Sequence, residues 1–152
     1  MPLGGQSMTK SVQSAAETAA RALFAKDRAS QKLGMDLVAV KVGVASVNMA
    51  VRPDMTNGHG ICHGGYIFAL ADSAFAFACN SRGQPTVAAA VTIDFLVPAK
   101  VGDVLTAVAK ERWRGGRTGL YDLSVTRADG TVIAHARGRS RQLRPAPPPI
   151  AT

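Results

Sequence analysis

Aromatic residues are scarce in this chain, at 5% of its 152 residues, and this scarcity bears on its strongly basic charge. A formal net charge of +8 could serve solubility, an anionic small ligand or nucleic acid. Proteins that bind single-stranded nucleic acid place aromatic side chains among basic ones, whereas most aromatics here lie in apolar stretches. We therefore expect no nucleic-acid partner and favour a small ligand that carries phosphate groups.

Cysteine is equally sparse, since Cys62 and Cys79 are the only two and form no CxxC pair. If a helix joins them, their Cα atoms lie about 25 Å apart at 1.5 Å per residue. A disulfide requires Cα atoms within about 7 Å of each other. The sequence therefore predicts no intrachain disulfide, and this is typical of a reducing compartment, so we expect a cytoplasmic protein.

The chain also lacks a long apolar run, because Asp72 interrupts the best candidate before it reaches the roughly 18 residues that span a bilayer. Residues 1–10 do not show the charged and then apolar pattern of a signal peptide. We therefore expect no membrane partner. Apolar residues make up 47% of the chain, which is enough for one globular domain with its own core.

Local patterns divide the chain into two helices and a series of strands. Residues 11–30 are alanine-rich and predict a helix that ends near Gly34. β-branched residues predict two short strands at about 36–41 and 43–51, or one long bent strand. Four further strands, separated by turn signals, are predicted at 86–97, 104–113, 118–127 and 131–143. We expect a flexible segment at 1–10, a single domain at 11–143 and a proline-rich tail at 144–152.

Residues 66–79 predict a buried helix, here called the central helix, because they are apolar or small except for Asp72. Gly64 and Gly65 should begin it. Strands in hairpin order with one long apolar helix predict an α+β domain whose antiparallel sheet wraps that helix. A single layer leaves the helix partly uncovered, so we expect a second copy to cover it or two sheets to join edge to edge.

The loop and helix around these glycines resemble the hotdog-fold acyl-CoA thioesterases, most closely the phenylacetic acid degradation type. The resemblance is carried by Asn57, the run His63-Gly64-Gly65 and Asp72 at their combined spacing, which is more specific than a lone His-Gly-Gly. It covers roughly residues 35–142 and includes a proline-containing turn at Val97-Pro98. It implies hydrolysis of acyl-CoA thioesters without a cofactor, by a homodimer or a dimer of dimers.

The resemblance implies four catalytic residues. Asp72 is the general base or the nucleophile, and the backbone amide of Gly64 holds the thioester carbonyl. Asn57 binds the carbonyl or places the water, and His63 polarises the carbonyl or shapes the loop. The residues themselves fit these roles, because an apolar setting raises the pKa of a carboxyl group and a helix N-terminus suits a developing oxyanion. Purely structural roles stay open for Asp72 at an interface and for Asn57 and Gly64 in a turn.

The spacing of Gly64 and Asp72 carries a consequence of its own. Asp72 lies eight residues further along the predicted helix, which is about 12 Å at 1.5 Å per residue. A carbonyl-binding amide and a base must both reach one reacting group to within about 3 Å. One chain cannot supply both to the same substrate, so we expect Gly64 of one subunit to act with Asp72 of another. The resemblance implies the same shared site.

One position departs from the family pattern. Some relatives carry a serine or threonine on the strand after the central helix, where it helps to orient the water. That position aligns with about Ala88, so the hydroxyl is missing. Either another group holds the water or Asp72 works without that help.

Substrate-binding residues are expected around these four. We expect Gly65, Tyr66 and Phe75 to line the site. Arginine pairs well with phosphate, and an alternative role for exposed arginines is to protect a sheet edge from aggregation. The set favoured for the phosphates of coenzyme A consists of Arg114, Arg117, Arg139 and Arg141.

Four rival interpretations remain. A zinc site is disfavoured because no zinc spacing fits His59, Cys62, His63 and Asp72. A nucleophilic pair of Cys62 and His63 is weak because adjacent side chains seldom face each other. A hotdog dehydratase needs a histidine and an acid placed for proton transfer, whereas this histidine belongs to the His-Gly-Gly run. A non-catalytic acyl-CoA sensor usually carries a separate DNA-binding segment, for which the helix at 11–30 is too short.

Overall fold

The computed structural model describes residues 5–146, with side chains from residue 9 onward. Residues 144–146 have no regular secondary structure, and the rest of the predicted tail lies outside the described residues. Within the described range, none of the helices combines the length and apolar character needed to cross a membrane.

An N-terminal helix, α1 (Gly5–Lys26), lies against the sheet. Its alanine-rich composition favours a helix, and Ala16 and Ala20 are buried on the face that meets the domain. The side-chain amide of Gln13 donates a hydrogen bond of 2.6 Å to the backbone carbonyl of Val40. The helix begins earlier than predicted, so residues 5–10, which we expected to be flexible, are helical; residues 1–4 lie outside the described range.

Asp27 divides the helix predicted at 11–30 into two. Its side chain accepts a hydrogen bond of 2.9 Å from the backbone N–H of Ser30, and this N-cap begins a short second helix, α2 (Arg28–Lys32). Gly34 ends the helical region as predicted, because its φ of +71° is a left-handed conformation that glycine adopts without strain.

Six strands form one antiparallel sheet in the described part of the chain. They are β1 (Asp36–Lys41), β2 (Val44–Ala50), β3 (Thr86–Phe95), β4 (Val104–Gly115), β5 (Thr118–Arg127) and β6 (Val132–Gln142). Their order across the sheet is β1-β2-β4-β5-β6-β3. Two short strands are therefore found at the start, rather than one bent strand, because the chain turns at Gly43 with a φ of +74°.

The central helix, α3 (Gly64–Cys79), packs on one face of this sheet as predicted. Leu70, Phe75 and Phe77 are fully buried. The ring of Phe75 faces the sheet at Tyr121, whereas the ring of Phe77 packs edge-on against Phe24 of α1 with 5.7 Å between centroids. The opposite side of α3 is covered only in part, since Asp72 and Ser73 remain half-buried there. The α+β prediction, with a sheet wrapped around a partly uncovered helix, is confirmed.

β3 is an edge strand, because only β6 pairs with it. Its start is fixed by Asn80, the C-cap of α3, whose Nδ2 donates to the Thr86 carbonyl at 2.8 Å and whose Oδ1 accepts from the Thr86 N–H at 3.0 Å. Most of the strand is exposed on both faces. Its outer edge therefore presents backbone groups that another strand could pair with.

Candidate active site

The N-terminus of α3 presents one free amide. His63 is the N-cap, and its Nδ1 accepts a hydrogen bond of 2.9 Å from the N–H of Gly65. The N–H of Tyr66 donates to the carbonyl of His63 at 3.0 Å. Among the described residues, the N–H of Gly64 has no acceptor, so it is the amide available to a ligand at the positive end of the helix dipole.

A loop that begins after a turn of 3-10 helix (Pro53–Met55) carries Asn57 next to this amide. The Oδ1 of Asn57 accepts from the backbone N–H of His59 at 2.9 Å, so its expected role in a turn is observed. Its Nδ2 has no acceptor in the described part of the chain and remains available as a donor. Asn57 and Gly64 border one cavity of ≈ 380 Å³ whose other walls are mostly apolar.

Asp72 lies two turns further along α3 and borders a different cavity, of ≈ 450 Å³. Its half-buried carboxyl group accepts no hydrogen bond and makes no ion pair with any described residue. Burial, and to a lesser extent the negative charge of Asp27, raise the pKa of Asp72 above its usual range. An unpaired carboxyl group with a raised pKa beside an open cavity is a candidate general base.

Neither cavity contains both candidate groups. The cavity at Gly64 lacks Asp72, and the cavity at Asp72 lacks Gly64. Because α3 is continuous between them, the two residues are separated by about 12 Å along its axis. The structure thus separates them within one chain, as the spacing predicted.

Ala88 borders the cavity of Asp72, so the missing hydroxyl would have faced that space. Thr86 borders the same cavity, but its hydroxyl donates a hydrogen bond of 2.8 Å to the carbonyl of Gln84. The only hydroxyl on the first part of β3 is therefore committed to the backbone of its own loop.

Two predicted substrate contacts are placed elsewhere. Phe75 is fully buried, and its ring packs against Tyr121 with 5.0 Å between centroids. The prediction that it lines the site is wrong, because α3 turns Phe75 towards the sheet. Tyr66 borders neither cavity and lies edge-on to the ring of His63. Gly65 contributes its amide to His63, as described above.

The four favoured arginines do not form one group. Arg114 pairs across the sheet with Gly119, whereas Arg139 pairs with Leu120, so strand alternation places them on opposite faces. Arg117 donates from Nε and Nη2 to the carbonyl of Gln142 at 3.1 and 2.6 Å. The prediction of a single set is wrong, because it ignored the alternation of neighbouring strands.

Arg117 nevertheless has a basic neighbourhood of its own. Burial, followed by the positive charges of Arg141 and Arg144, lowers the pKa of Arg117. Arg141 also donates to the hydroxyl of Thr118 at 3.3 Å. These residues lie beside the end of β6, apart from Arg114, whose Nη2 donates to the side chain of Gln84 at 3.0 Å.

The sequence anticipated the apolar walls of both cavities only in part, through the strand at 86–95 and the turn at Val97-Pro98. Around Gly64 these walls include Phe95, and a Cβ on Gly64 would lie only 3.1 Å from that ring. Further apolar wall residues are Ile61, Ile67, Leu96, Val97, Pro98, Leu23, Pro85, Val87 and Leu143. Apart from the turn at Val97-Pro98, no motif marks these residues.

A thiol nucleophile is not favoured by the geometry. Cys62 is buried, and its Sγ points to the carbonyl of His63 at 3.7 Å rather than to the imidazole. Burial, together with the charge of Asp103, raises the pKa of the Cys62 thiol. The thiolate form required of a nucleophile is therefore disfavoured.

Comparison with known proteins places this arrangement in a family. The model of the thioesterase superfamily matches residues 59–134, from the loop before α3 into β6. The chain is 45% identical to the acyl-coenzyme A thioesterase PaaI of Escherichia coli strain K12 over 124 residues, which cover 82% of this chain and 89% of that relative. The chain belongs to the thioesterase superfamily.

Two further similarities support this membership. The solved structure of the E. coli PaaI protein from the phenylacetic acid degradation operon matches with a TM-score of 0.86 and 43% identity, covering 88% of this chain and 96% of that chain. Human acyl-coenzyme A thioesterase 13 is 32% identical over 104 residues, which cover 66% of this chain and 74% of the relative. The expected hotdog fold and thioester hydrolase class of this thioesterase-superfamily member are confirmed.

Proposed function

We propose that the protein hydrolyses acyl-CoA thioesters to a free acid and coenzyme A, with Asp72 as general base or nucleophile and the Gly64 amide as the oxyanion donor. The observation that carries this proposal is the pair of unsatisfied groups on α3. One is an unbonded N–H at the helix N-terminus, and the other is an unpaired carboxyl group with a raised pKa. Both border open cavities.

The two chemical routes use the same residues. In the general-base route, Asp72 takes a proton from water while the water oxygen attacks the thioester carbon. The Gly64 N–H, with the Nδ2 of Asn57, stabilises the negative carbonyl oxygen. The C–S bond then breaks, and the proton on Asp72 passes to the departing thiolate. In the nucleophilic route the carboxylate itself attacks, the C–S bond breaks and coenzyme A leaves as the thiolate. Water then hydrolyses the anhydride to the free acid and the aspartate, and a proton of that water neutralises the thiolate. His63 acts indirectly, because it occupies the Gly65 amide and caps the helix.

The free edge of β3 supports a site shared between two copies. The start of β3, at Thr86 and Ala88, borders the cavity of Asp72, and its end, at Phe95, borders the cavity of Gly64. If two copies pair antiparallel through β3 about a two-fold axis, the start of one strand lies beside the end of the other. The Asp72 cavity of one subunit then adjoins the Gly64 cavity of its partner. We propose this homodimer, with a dimer of dimers as the larger assembly.

The cavity at Gly64 suits the acyl group. Its walls combine one aromatic ring, Phe95, with aliphatic side chains, and ≈ 380 Å³ accommodates an aryl-acetyl or a short to medium acyl chain. The name of the E. coli relative, an acyl-coenzyme A thioesterase from a phenylacetic acid degradation operon, agrees with an aryl-acetyl substrate.

The coenzyme A arm is proposed to follow a groove between α1 and the loop after α3. The cavity of Asp72 adjoins a cavity beside α1, because Asn80 and Pro85 border both of them. The cavity beside α1 in turn adjoins a cavity further along the groove, because Gln84 borders both. This last cavity of the groove is bordered by Arg82 and Arg114, which could hold phosphate. Arg82 is already paired with Glu111 at 2.6 Å, so Arg114 is the better phosphate ligand.

Replacing Arg114 tests this route. Arg114→Ala should raise KM for the acyl-CoA roughly tenfold and leave kcat nearly unchanged, because it removes binding that is equal in the ground and transition states. Arg112→Ala is the matched control, since Arg112 lies on a neighbouring position but pairs with Asp122. An equal rise of KM in both variants would contradict the route.

A cytoplasmic location completes the proposal. The two described cysteines are free and buried, and burial raises the pKa of the Cys79 thiol to about 12. Unbridged thiols of this kind are typical of reducing compartments. Fractionation of the native host, followed by detection with an antibody, tests this location.

Thiol release from an aryl-acetyl-CoA tests the function itself. Wild-type protein should release free coenzyme A, and Asp72→Asn should release it at least about 10²-fold more slowly, because the change removes the base but keeps its shape. Release at equal rates by both proteins would contradict the catalytic role of Asp72. Binding of acyl-CoA without any release would instead indicate a sensor.

A further inference from the structure

Besides the cavity of Ala88, Asp72 borders a smaller cavity, of ≈ 210 Å³, between α2 and α3. Three polar residues line this cavity together with Asp72, namely Asp27, Ser30 and Ser73. It is separate from the cavity of Ala88, which contains none of these three. The carboxyl group of Asp72 therefore lies between a space for the substrate and a space with hydroxyl groups.

The three polar residues form a directed chain of hydrogen bonds. The Ser30 hydroxyl lies 2.6 Å from Oδ2 of Asp27 and 2.7 Å from the Ser73 hydroxyl. An ionised carboxylate can only accept, so Ser30 donates its single O–H to Asp27. Ser73 must then donate to Ser30, which leaves the lone pairs of Ser73 as acceptors. Ser30 is only 3% exposed, so the middle hydroxyl of this chain is enclosed where α2 meets α3, whereas Asp27 and Ser73 are half-buried.

We propose that Ser73 is a positioning residue, which holds the carboxyl group of Asp72 through a bridging water in this cavity, and that Asp27 anchors Ser73 through Ser30. The inference rests on the proposed role of Asp72. The cavity has room for water and several polar partners for it. A water that donates one hydrogen to Ser73 and the other to Asp72 would fix one carboxylate oxygen. The second oxygen then faces the cavity at Ala88, where the family's hydroxyl is missing.

Asp27 has a second effect, because it is the nearest like charge. Burial first, and then Asp27, raise the pKa of Asp72. The other titratable group close to Asp72 is Cys79, which stays neutral because its pKa is raised to about 12. Lys26 of α1 borders the neighbouring cavity near Asn80. β3 contributes only uncharged residues at 86–88 to the substrate side. Asp27 thus makes Asp72 a stronger base.

The bridge is tested by the pair Ser73→Ala and Ser73→Thr. Alanine removes the acceptor and is a better helix former than serine, so the helix is kept. We expect kcat for thiol release from an aryl-acetyl-CoA to fall by about ten- to a hundredfold with KM unchanged, since the base loses its orientation. Threonine retains the hydroxyl and should restore most of the rate. A kcat for Ser73→Ala within twofold of wild type, or no restoration by threonine, overturns the bridge.

The charge effect is tested by the pH profile of kcat/KM in Asp27→Asn. Asparagine is as good an N-cap as aspartate, so its Oδ1 can keep the bond from the Ser30 N–H while the charge is removed. Its Nδ2 then faces the Ser30 hydroxyl, so the position of the acidic limb, and not kcat, is the readout. The pKa of Asp72 should fall, and the acidic limb of the pH profile should move to lower pH. Asp36→Asn, at an exposed position that begins β1, is the matched control and should leave the limb in place. An unmoved limb in Asp27→Asn overturns the role of Asp27.

Failure of this inference can be told apart from failure of the proposed function. If Asp72→Asn retains normal turnover, Asp72 is not the base and there is nothing to position. If Asp72→Asn is inactive while Ser73→Ala and Asp27→Asn behave as wild type, the base is correct and the positioning chain is wrong.

Discussion

Asp72 shows at the level of a single residue how a proposed catalytic role and stability oppose each other. Its neutral form is favoured by burial, so its pKa in the folded protein is raised. The stability that the neutral form contributes is fully present below the ordinary carboxyl pKa of about 3.9. It is lost as the pH rises through the raised folded pKa, so at neutral pH the ionised group destabilises the fold.

Asp72→Asn should therefore raise the melting temperature at pH 7 while it abolishes activity, because asparagine removes the buried charge and keeps the shape. The gain should disappear near pH 3, where the aspartate is neutral as well. Thermal unfolding of both proteins at the two pH values measures this. The control is Asp36→Asn, at an exposed site. A melting temperature that is lower in Asp72→Asn at pH 7 would show that the carboxylate has a structural partner instead.

Sequence reasoning at this scale identified residues whose chemistry is local. The costly charge of Asp72 and the glycines at a helix start could be recognised without a fold. The capping bond of His63 and the proposed role of Ser73 could not be recognised, because they depend on the atoms that each side chain meets. A histidine before two glycines does not reveal that its Nδ1 occupies the second amide and leaves the first one free.

At the scale of elements, the contact between β6 and α3 depends on a glycine. A Cβ on Gly138 would lie 2.6 Å from Cε1 of Phe75, whose ring is fully buried and also packs on Tyr121. The ring cannot move aside without displacing other core side chains. The absence of a side chain on β6 therefore lets the sheet approach the helix that carries Asp72.

Gly138→Ala should reduce the free energy of unfolding by about 1–3 kcal/mol, because the added methyl group overpacks this contact. Urea denaturation of the purified variant measures the loss. Gly58→Ala is the control, since no atom lies within 4 Å of the position of its Cβ. An equal loss in both variants would indicate a general effect of replacing glycine rather than the clash with Phe75.

The elements were largely predictable, and their errors have physical causes. Alternation and turn signals located the strands, and propensity located the helices. The first helix was predicted as one piece, but it ends at Asp27. The Asp27 carboxylate accepts two hydrogen bonds from Ser30, and these bonds begin a new helix instead of continuing the first one. Phe75 and the arginines were misplaced because the periodicity of a helix or strand shows which residues share a face. It does not show which neighbouring element that face meets.

At the scale of the whole molecule, the proposed site is incomplete in a single chain. Gly64 and Asp72 lie about 12 Å apart on one rigid helix, and β3 exposes both its edge and its apolar side chains. The sequence could predict this incompleteness, because the spacing on a helix is fixed. It could not predict that the two ends of β3 border the two half-sites, since this depends on the order of strands in the sheet.

A complementation experiment tests the shared site most directly. Asp72→Ala and Gly64→Pro are combined as differently tagged subunits. Proline suits the first position of a helix and removes the amide N–H, and the extended backbone of His63 (φ −61°, ψ 132°) tolerates a following proline. Proline also adds a Cβ that lies 3.1 Å from Cζ of Phe95, so Gly64→Ala, which adds the same Cβ and keeps the N–H, is the matched control. Each parent should be inactive. A hybrid keeps one intact site, formed by Gly64 of the first subunit and Asp72 of the second.

With random pairing, half of the dimers are hybrids with one of two sites intact, so the mixture should recover about a quarter of the wild-type rate of thiol release. Isolation through both tags shows that hybrids have formed. Recovered activity in the doubly tagged fraction is the result that the shared site predicts. Inactive hybrids would contradict it.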